Sequence, residues 1–144
     1  RQLVGSLMHP AATCRPDLQY TVKVLAGHLQ HPPAEYIAAA PRAVDYLTTT
    51  KKYALVYTKA TGDASQFSGT CDASFMTGPS MKGVTGWSFH KQRAAVAWKA
   101  TNQTVVSLFS TEAELIAVDE ATRNYDSCTN CFSTSTPMWT CPQE

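Results

Sequence analysis

The sequence predicts a mixed α/β (α+β) fold: an N-terminal helical hairpin, then a mixed β-sheet with helices packed on it. Three observations carry this. Leu18, Val22, Leu25 and Leu29 recur at helical spacing, and Ile37, Ala40, Val44 and Leu47 repeat the pattern further on. After Thr50 the character changes to short β-branched and aromatic runs separated by Gly, Ser and Pro. A third helical stripe follows Ser110 and precedes one more short apolar run. The division falls at a helical segment, 1–52, and a sheet domain, 53–144.

Pro16 and Asp17 suit a helix start, with proline tolerated at the first position and an acid in the first turn. His31, Pro32 and Pro33 end that helix, and a second begins near Pro33 and Glu35. Pro41 lies inside the second stripe, where losing a backbone donor costs about 3 kcal/mol and predicts a kink or break. Four strands are expected, at Ala54 to Thr58, Gln66 to Cys71, Gly83 to His90 and Ala94 to Lys99. Turns at Gly62-Asp63, Thr77 to Ser80 and Lys91 to Arg93 separate them, and the last three form an antiparallel meander. The helix from Ser110 shows Ala113, Ile116, Ala117, Glu120 and Ala121 on one side and runs to about Asp126 or beyond. A polar stretch from Ser133 to Thr136 leads to a final strand, Met138 to Cys141, placed to pair in parallel.

At 144 residues and 44% hydrophobic, the chain can build one globular domain with a core, or a smaller one with a helical extension. Its 12 Lys+Arg against 11 Asp+Glu leave a net charge of +1. No chain-wide field draws it to phosphate or to an anionic membrane, so nucleic-acid binding has to come from local residues. No run reaches the roughly 20 apolar residues that span a bilayer, and no signal peptide is evident. The interior of the cell, cytoplasm or nucleus, is the favoured location. The first residue is Arg1 rather than Met, so the lack of a leader weighs little. The five cysteines are odd in number and lack a disulfide-scaffold pattern, which favours reduced thiols. Cys128 and Cys131 form one CxxC without a second at zinc-finger spacing and read as small apolar residues on a helix face. His9, His28, His31 and His90 have no metal-binding spacing, and Trp87, Trp98 and Trp139 fill core.

Two acids stand where this order brings strand and helix together. Asp72 ends the first meander strand, and Glu114 lies in the first turn of the helix after Ser110. One carboxylate from each could share a divalent cation, since Mg²⁺ takes hard oxygen ligands. Each also has a plainer role. Asp72 with Ser74 suits a strand-ending turn, and Glu114 completes a capping box with Thr111.

The runs VGSLMHPAATCRPDLQYTVKVLA, RAVDYLTTTKKYALVY, CDASF, VTGWSF, AVAWKATNQTVVSLFSTEAELIAVDEAT and PMWTCPQE occur in an order that resembles copia-type LTR retrotransposon polyproteins. There, helices closing the reverse transcriptase run into ribonuclease H. The resemblance covers nearly the whole chain, and RPDL, Trp98-Lys99 and STEAEL are its most specific pieces. It implies a ribonuclease H-like mixed sheet and hydrolysis of RNA in an RNA/DNA hybrid with Mg²⁺ or Mn²⁺. It also implies that Asp72 and Glu114 serve as metal-binding catalytic acids.

The family's third acid, usually in a setting like TDNQ, is replaced by Cys141 in Thr140-Cys141-Pro142-Gln143, or by Pro142 if the register shifts by one. A thiol is a poor ligand for Mg²⁺. The fourth acid would lie past Glu144, so the resemblance points to weak metal binding and a diverged, impaired copy. Lys99 and Gln103 are the candidate phosphate contacts, with exposed turn positions as their plainer role. Pro10, Pro41, Thr101, Asn102 and Phe109 depart from the family pattern in the same direction. The alternative is a repurposed interaction or nucleic-acid-binding module without catalysis. An uncovered C-terminal sheet edge would favour a homodimer.

Overall fold

The computed structural model describes residues 1–59, 67–75 and 81–133. The chain forms two compact units, Arg1–Val56 and Tyr57–Glu144.

The first unit contains α1 (Gln2–Thr13), a 3-10 turn (Pro16–Leu18), α2 (Gln19–Gly27) and α3 (Ala34–Thr49). The expected hairpin is thus a three-helix arrangement. Val4, Leu7 and Ala11 of α1 supply a stripe that packs with Leu18, Val22, Leu25 and Ala43. The buried side of α3 is rotated from expectation. Tyr36, Ala39, Ala40, Ala43, Val44 and Leu47 meet this core, and Ile37 is exposed. The helix runs through Pro41 from Ala34 to Thr49 without a break. Proline ends a helix only when packing does not outweigh the lost bond, and here residues on both sides of it are anchored in one core.

Arg15 explains why RPDL is distinctive. It is buried at 5% exposure and grips Asp17 through Nε (3.0 Å) and Nη2 (2.7 Å). It also donates to the Thr50 carbonyl at 3.2 Å and the Thr50 hydroxyl at 2.6 Å. Tyr46 donates its hydroxyl to Asp17 at 2.8 Å, and the guanidinium lies over the rings of Tyr46 and Tyr53. One cation therefore ties the turn before α2 to the end of α3.

The second unit holds β1 (Ser68–Ser74), β2 (Val84–Lys91), β3 (Ala94–Asn102) and α4 (Ser110–Ser133). The three strands form the expected antiparallel meander in the order β1-β2-β3. Ala54 to Thr58, expected as a strand, joins no sheet, although Tyr57 donates its hydroxyl to the Ala95 carbonyl at 2.6 Å. Its apolar residues made a strand pattern without a partner to complete the ladder. The expected final strand Met138 to Cys141, with Trp139, and the turns at Gly62-Asp63 and Thr77 to Ser80 lie outside the described residues.

Ala113, Ala117 and Ala121, four apart, give α4 a smooth buried face. Trp87 and Phe89 of β2 stack at 4.7 Å and cluster with Ala121 and Cys128, while Phe67 and Tyr125 flank them. Trp87 and Cys128 are core residues, as expected; Cys131 and Trp98 are half-buried. The hairpin between β2 and β3 places Gln92 and Arg93 at φ 53° and 68°, values suited to Asn-Gly.

Arg15→Ala should lower the stability of the first unit by about 3 kcal/mol, because it removes the buried cation that pairs Asp17 and binds the half-buried Thr50. Urea unfolding followed by amide signals of α2 and α3 measures this. The hydrogen bond from Arg15 holds the Asp17 carboxylate below its ordinary pKa, against a smaller opposing desolvation. Its contribution is therefore complete above the unfolded value near ~3.9 and disappears as pH falls through the depressed folded value. The urea midpoint of the first unit should drop below about pH 4, and Asp17→Asn should flatten that drop. Arg93→Gly should stabilise the second unit by up to about 1 kcal/mol by relieving the left-handed backbone, as read by thermal melting.

Candidate functional site

Asp72 lies within β1, which continues past the expected end at Cys71 to Ser74. It pairs with Gly86 of β2, and the next rung on the same face joins the hydroxyls of Thr70 and Ser88 at 2.9 Å. A Cβ at Gly86 would meet nothing within 4 Å, so the sheet is open beside the carboxylate. Strand alternation sets Asp72 on the opposite face from Ala73, whose partner Thr85 is fully buried.

Glu114 is the fifth residue of α4, which opens at Ser110 as expected, and is exposed. It takes no part in a capping box. Glu112 fills that role by accepting the Leu108 N–H at 2.6 Å, while Ala113 donates to the Phe109 carbonyl at 3.2 Å. Neither carboxylate is needed for the turn or cap that the sequence offered as its plainer use.

Gln103 is where the structure corrects expectation. Neither a phosphate contact nor an exposed turn residue, it is buried at 2% exposure. Its side-chain amide donates to Thr85 Oγ1 at 3.2 Å and to the Ala113 carbonyl at 2.8 Å. Thr85 faces Ala73, the neighbour of Asp72, and Ala113 is the neighbour of Glu114. The amide thereby brings the end of β1 and the opening of α4 to the same end of the sheet, although on strand alternation Asp72 points away from the helix side. No local signal announced the burial, because Gln103 is flanked by Thr101, Asn102 and Thr104, the composition of an exposed turn. Lys99, half-buried and opposite Trp87 in the ladder, remains the cation nearest the centre of the sheet among the candidates.

Two aspartate or glutamate oxygens suit a hard divalent cation, but the described residues contain no group of three His, Cys, Asp or Glu side chains able to hold one. The donor type fits, but the two carboxylates leave from different faces of the sheet and the donor count is half a cage. Cys141, the residue standing for a third acid, lies outside the described residues. A cavity of about 250 Å³ between β1 and α4 is lined by Gly69, Cys71, Phe89, Val118 and Tyr125 among others and includes neither acid. No described helix is long and apolar enough to cross a membrane.

A meander carrying one acid, followed by a helix carrying another, makes the second unit an α+β domain, and sequence comparison gives its relatives. The chain is 32% identical over 121 residues to the secreted RxLR effector protein 161 of Plasmopara viticola, covering 83% of this chain and 84% of that protein. It is 33% identical over 122 residues to a transposon Ty5-1 protein of Saccharomyces cerevisiae. It is 34% identical over 119 residues to the retrovirus-related Pol polyprotein from transposon TNT 1-94 of Nicotiana tabacum. The chain belongs to the family of the Plasmopara viticola protein, and its similarity to the two transposon proteins supports a retrotransposon-derived origin. It spans 39% of the yeast protein and 9% of the tobacco polyprotein. No family model and no solved structure matches.

Proposed function

We propose that this chain is an impaired ribonuclease H-like domain of copia type, preceded by the closing helices of a reverse transcriptase. The reading is carried by one observation: Gln103 ties the Thr85 rung beside Asp72 to the Ala113 carbonyl beside Glu114. Retrotransposon ancestry supports it. Asp72 and Glu114 would each offer one hard oxygen donor to a Mg²⁺ or Mn²⁺ ion at this end of the sheet, from opposite faces by strand alternation, and the ion when bound would supply an activated water and neutralise charge at the scissile phosphate. Lys99 would contribute attraction to the RNA/DNA backbone. With a thiol at Cys141 in place of a hard oxygen, the ion is held loosely and hydrolysis is slow.

The alternative of a non-catalytic interaction module is favoured by the exposed apolar residues Leu108, Phe109, Leu115 and Val118 around the start of α4. It expects no change in melting temperature with Mg²⁺, and none specific to Glu114→Gln.

A labelled RNA/DNA hybrid with Mg²⁺ or Mn²⁺ separates the outcomes. Wild type should cleave at least about 100-fold more slowly than Cys141→Asp, and Asp72→Asn should abolish the gained activity. Fast wild-type cleavage lost on Asp72→Asn would overturn the impairment. No cleavage by Cys141→Asp, with no metal-induced stabilisation, favours the interaction module.

A further inference from the structure

We infer that Gln103 is a positioning residue: it clamps the first turns of α4 onto the end of the sheet and thereby sets where Glu114 stands on that edge. This rests on the two-carboxylate reading above.

Gln103 follows the last residue of β3, and its main-chain N–H donates to the Gly83 carbonyl at 2.8 Å. Its backbone is thus pinned to the segment entering β2. From that anchor the side-chain NH₂ reaches two different layers, Thr85 on the sheet and the Ala113 carbonyl on the helix. A carbonyl oxygen has two lone pairs, so Ala113 can accept this bond as well as the intrahelical one. Turning the amide over would set its oxygen against the Ala113 oxygen, which fixes its orientation.

Two features argue that the donors, rather than bulk, are what the position requires. Gln103 Oε1 is buried without a hydrogen-bond partner among the described residues. An apolar side chain of the same length would fill the space without stranding that oxygen. The site is also shaped around the amide. A Cβ at Gly83 would lie 2.5 Å from Gln103 Oε1 and 2.9 Å from the Ser74 carbonyl, so residue 83 yields its side-chain volume to the glutamine. Because Ser74 ends β1, the amide, β1 and the entry to β2 meet at one point.

The helix needs such a fixture. Ala113 and Ala117 are smooth and fully buried, which permits close approach but offers no side-chain knob to resist sliding along the sheet. The Gln103 bond fixes the register at the first turn, while Tyr125, donating its hydroxyl to the Phe67 carbonyl at 3.1 Å, holds the helix further along. Glu114 is the next residue, so a shift of the turn moves its carboxylate directly.

The test uses the full chain carrying Gln103→Met, which keeps length and removes both donors. Hydrogen exchange of the Ala117 amide, whose helical acceptor is Ala113, should speed up at least about tenfold. Mn²⁺ affinity, followed by electron paramagnetic resonance, should weaken at least about tenfold while the circular dichroism spectrum persists. Thr85→Val, which removes only the sheet acceptor, should move both readouts in the same direction and serves if Gln103→Met does not fold. A lower melting temperature with unchanged Ala117 exchange and unchanged Mn²⁺ affinity would make Gln103 a core strut only and overturn the inference. If wild type and Asp72→Asn both fail to bind Mn²⁺, the two-carboxylate reading falls. Ala117 exchange then still decides whether Gln103 sets the helix.

Discussion

The close seat of α4 on the sheet is the constraint on which the rest of the second unit depends. Three alanines at i, i+4 and i+8 bring the helix backbone near the strands, and Trp87, Phe89 and Tyr125 fill the space further along it. Burial of this kind is strong but non-directional. It determines that helix and sheet pack, without determining which turn faces which rung. Direction comes from polar groups at the end of the sheet, and there a single glutamine amide joins three segments of chain.

The first unit solves a similar problem with a charge. Its helices share a core of Val4, Leu7, Leu18, Val22 and Leu25, and Arg15 fixes the corner by binding Asp17 and Thr50 at once. A guanidinium suits this because its donors lie in one plane at fixed angles, and the flanking tyrosines cover it without competing for hydrogen bonds. RPDL is therefore a folding motif in this chain, with Leu18 buried in the helical core. In both units an apolar surface supplies most of the stabilisation, and one buried polar side chain selects the arrangement.

Legibility of the fold in the sequence followed the strength of the local pattern. The meander was readable because its β-branched and aromatic runs are set off by turn residues, with β2 and β3 separated by a two-residue turn. α4 was readable because its alanines repeat at helical spacing. α1 was not separated as a helix because Pro10 interrupts the pattern, yet Val4, Leu7 and Ala11 are all buried. Ala54 to Thr58 misled because β-branched and aromatic residues favour strands only where a partner is available. In the site, Asp72 and Glu114 became candidates from residue type, order and family resemblance, whereas Gln103 was misplaced. A glutamine after a strand has the same local appearance whether it faces water or a helix.

By itself, the sequence determined what each segment prefers: helix or strand from periodicity, breakpoints from proline and turn residues, and ancestry from the order of its motifs. These are local properties, fixed by side-chain spacing along the chain. Only the tertiary structure decided that α3 continues through Pro41, that Glu112 rather than Glu114 caps α4, and that Gln103 is buried. Each of these depends on residues distant in sequence arriving at the same place. A hydrogen bond acts over about 3 Å, so its partners become defined only once packing has brought the segments together.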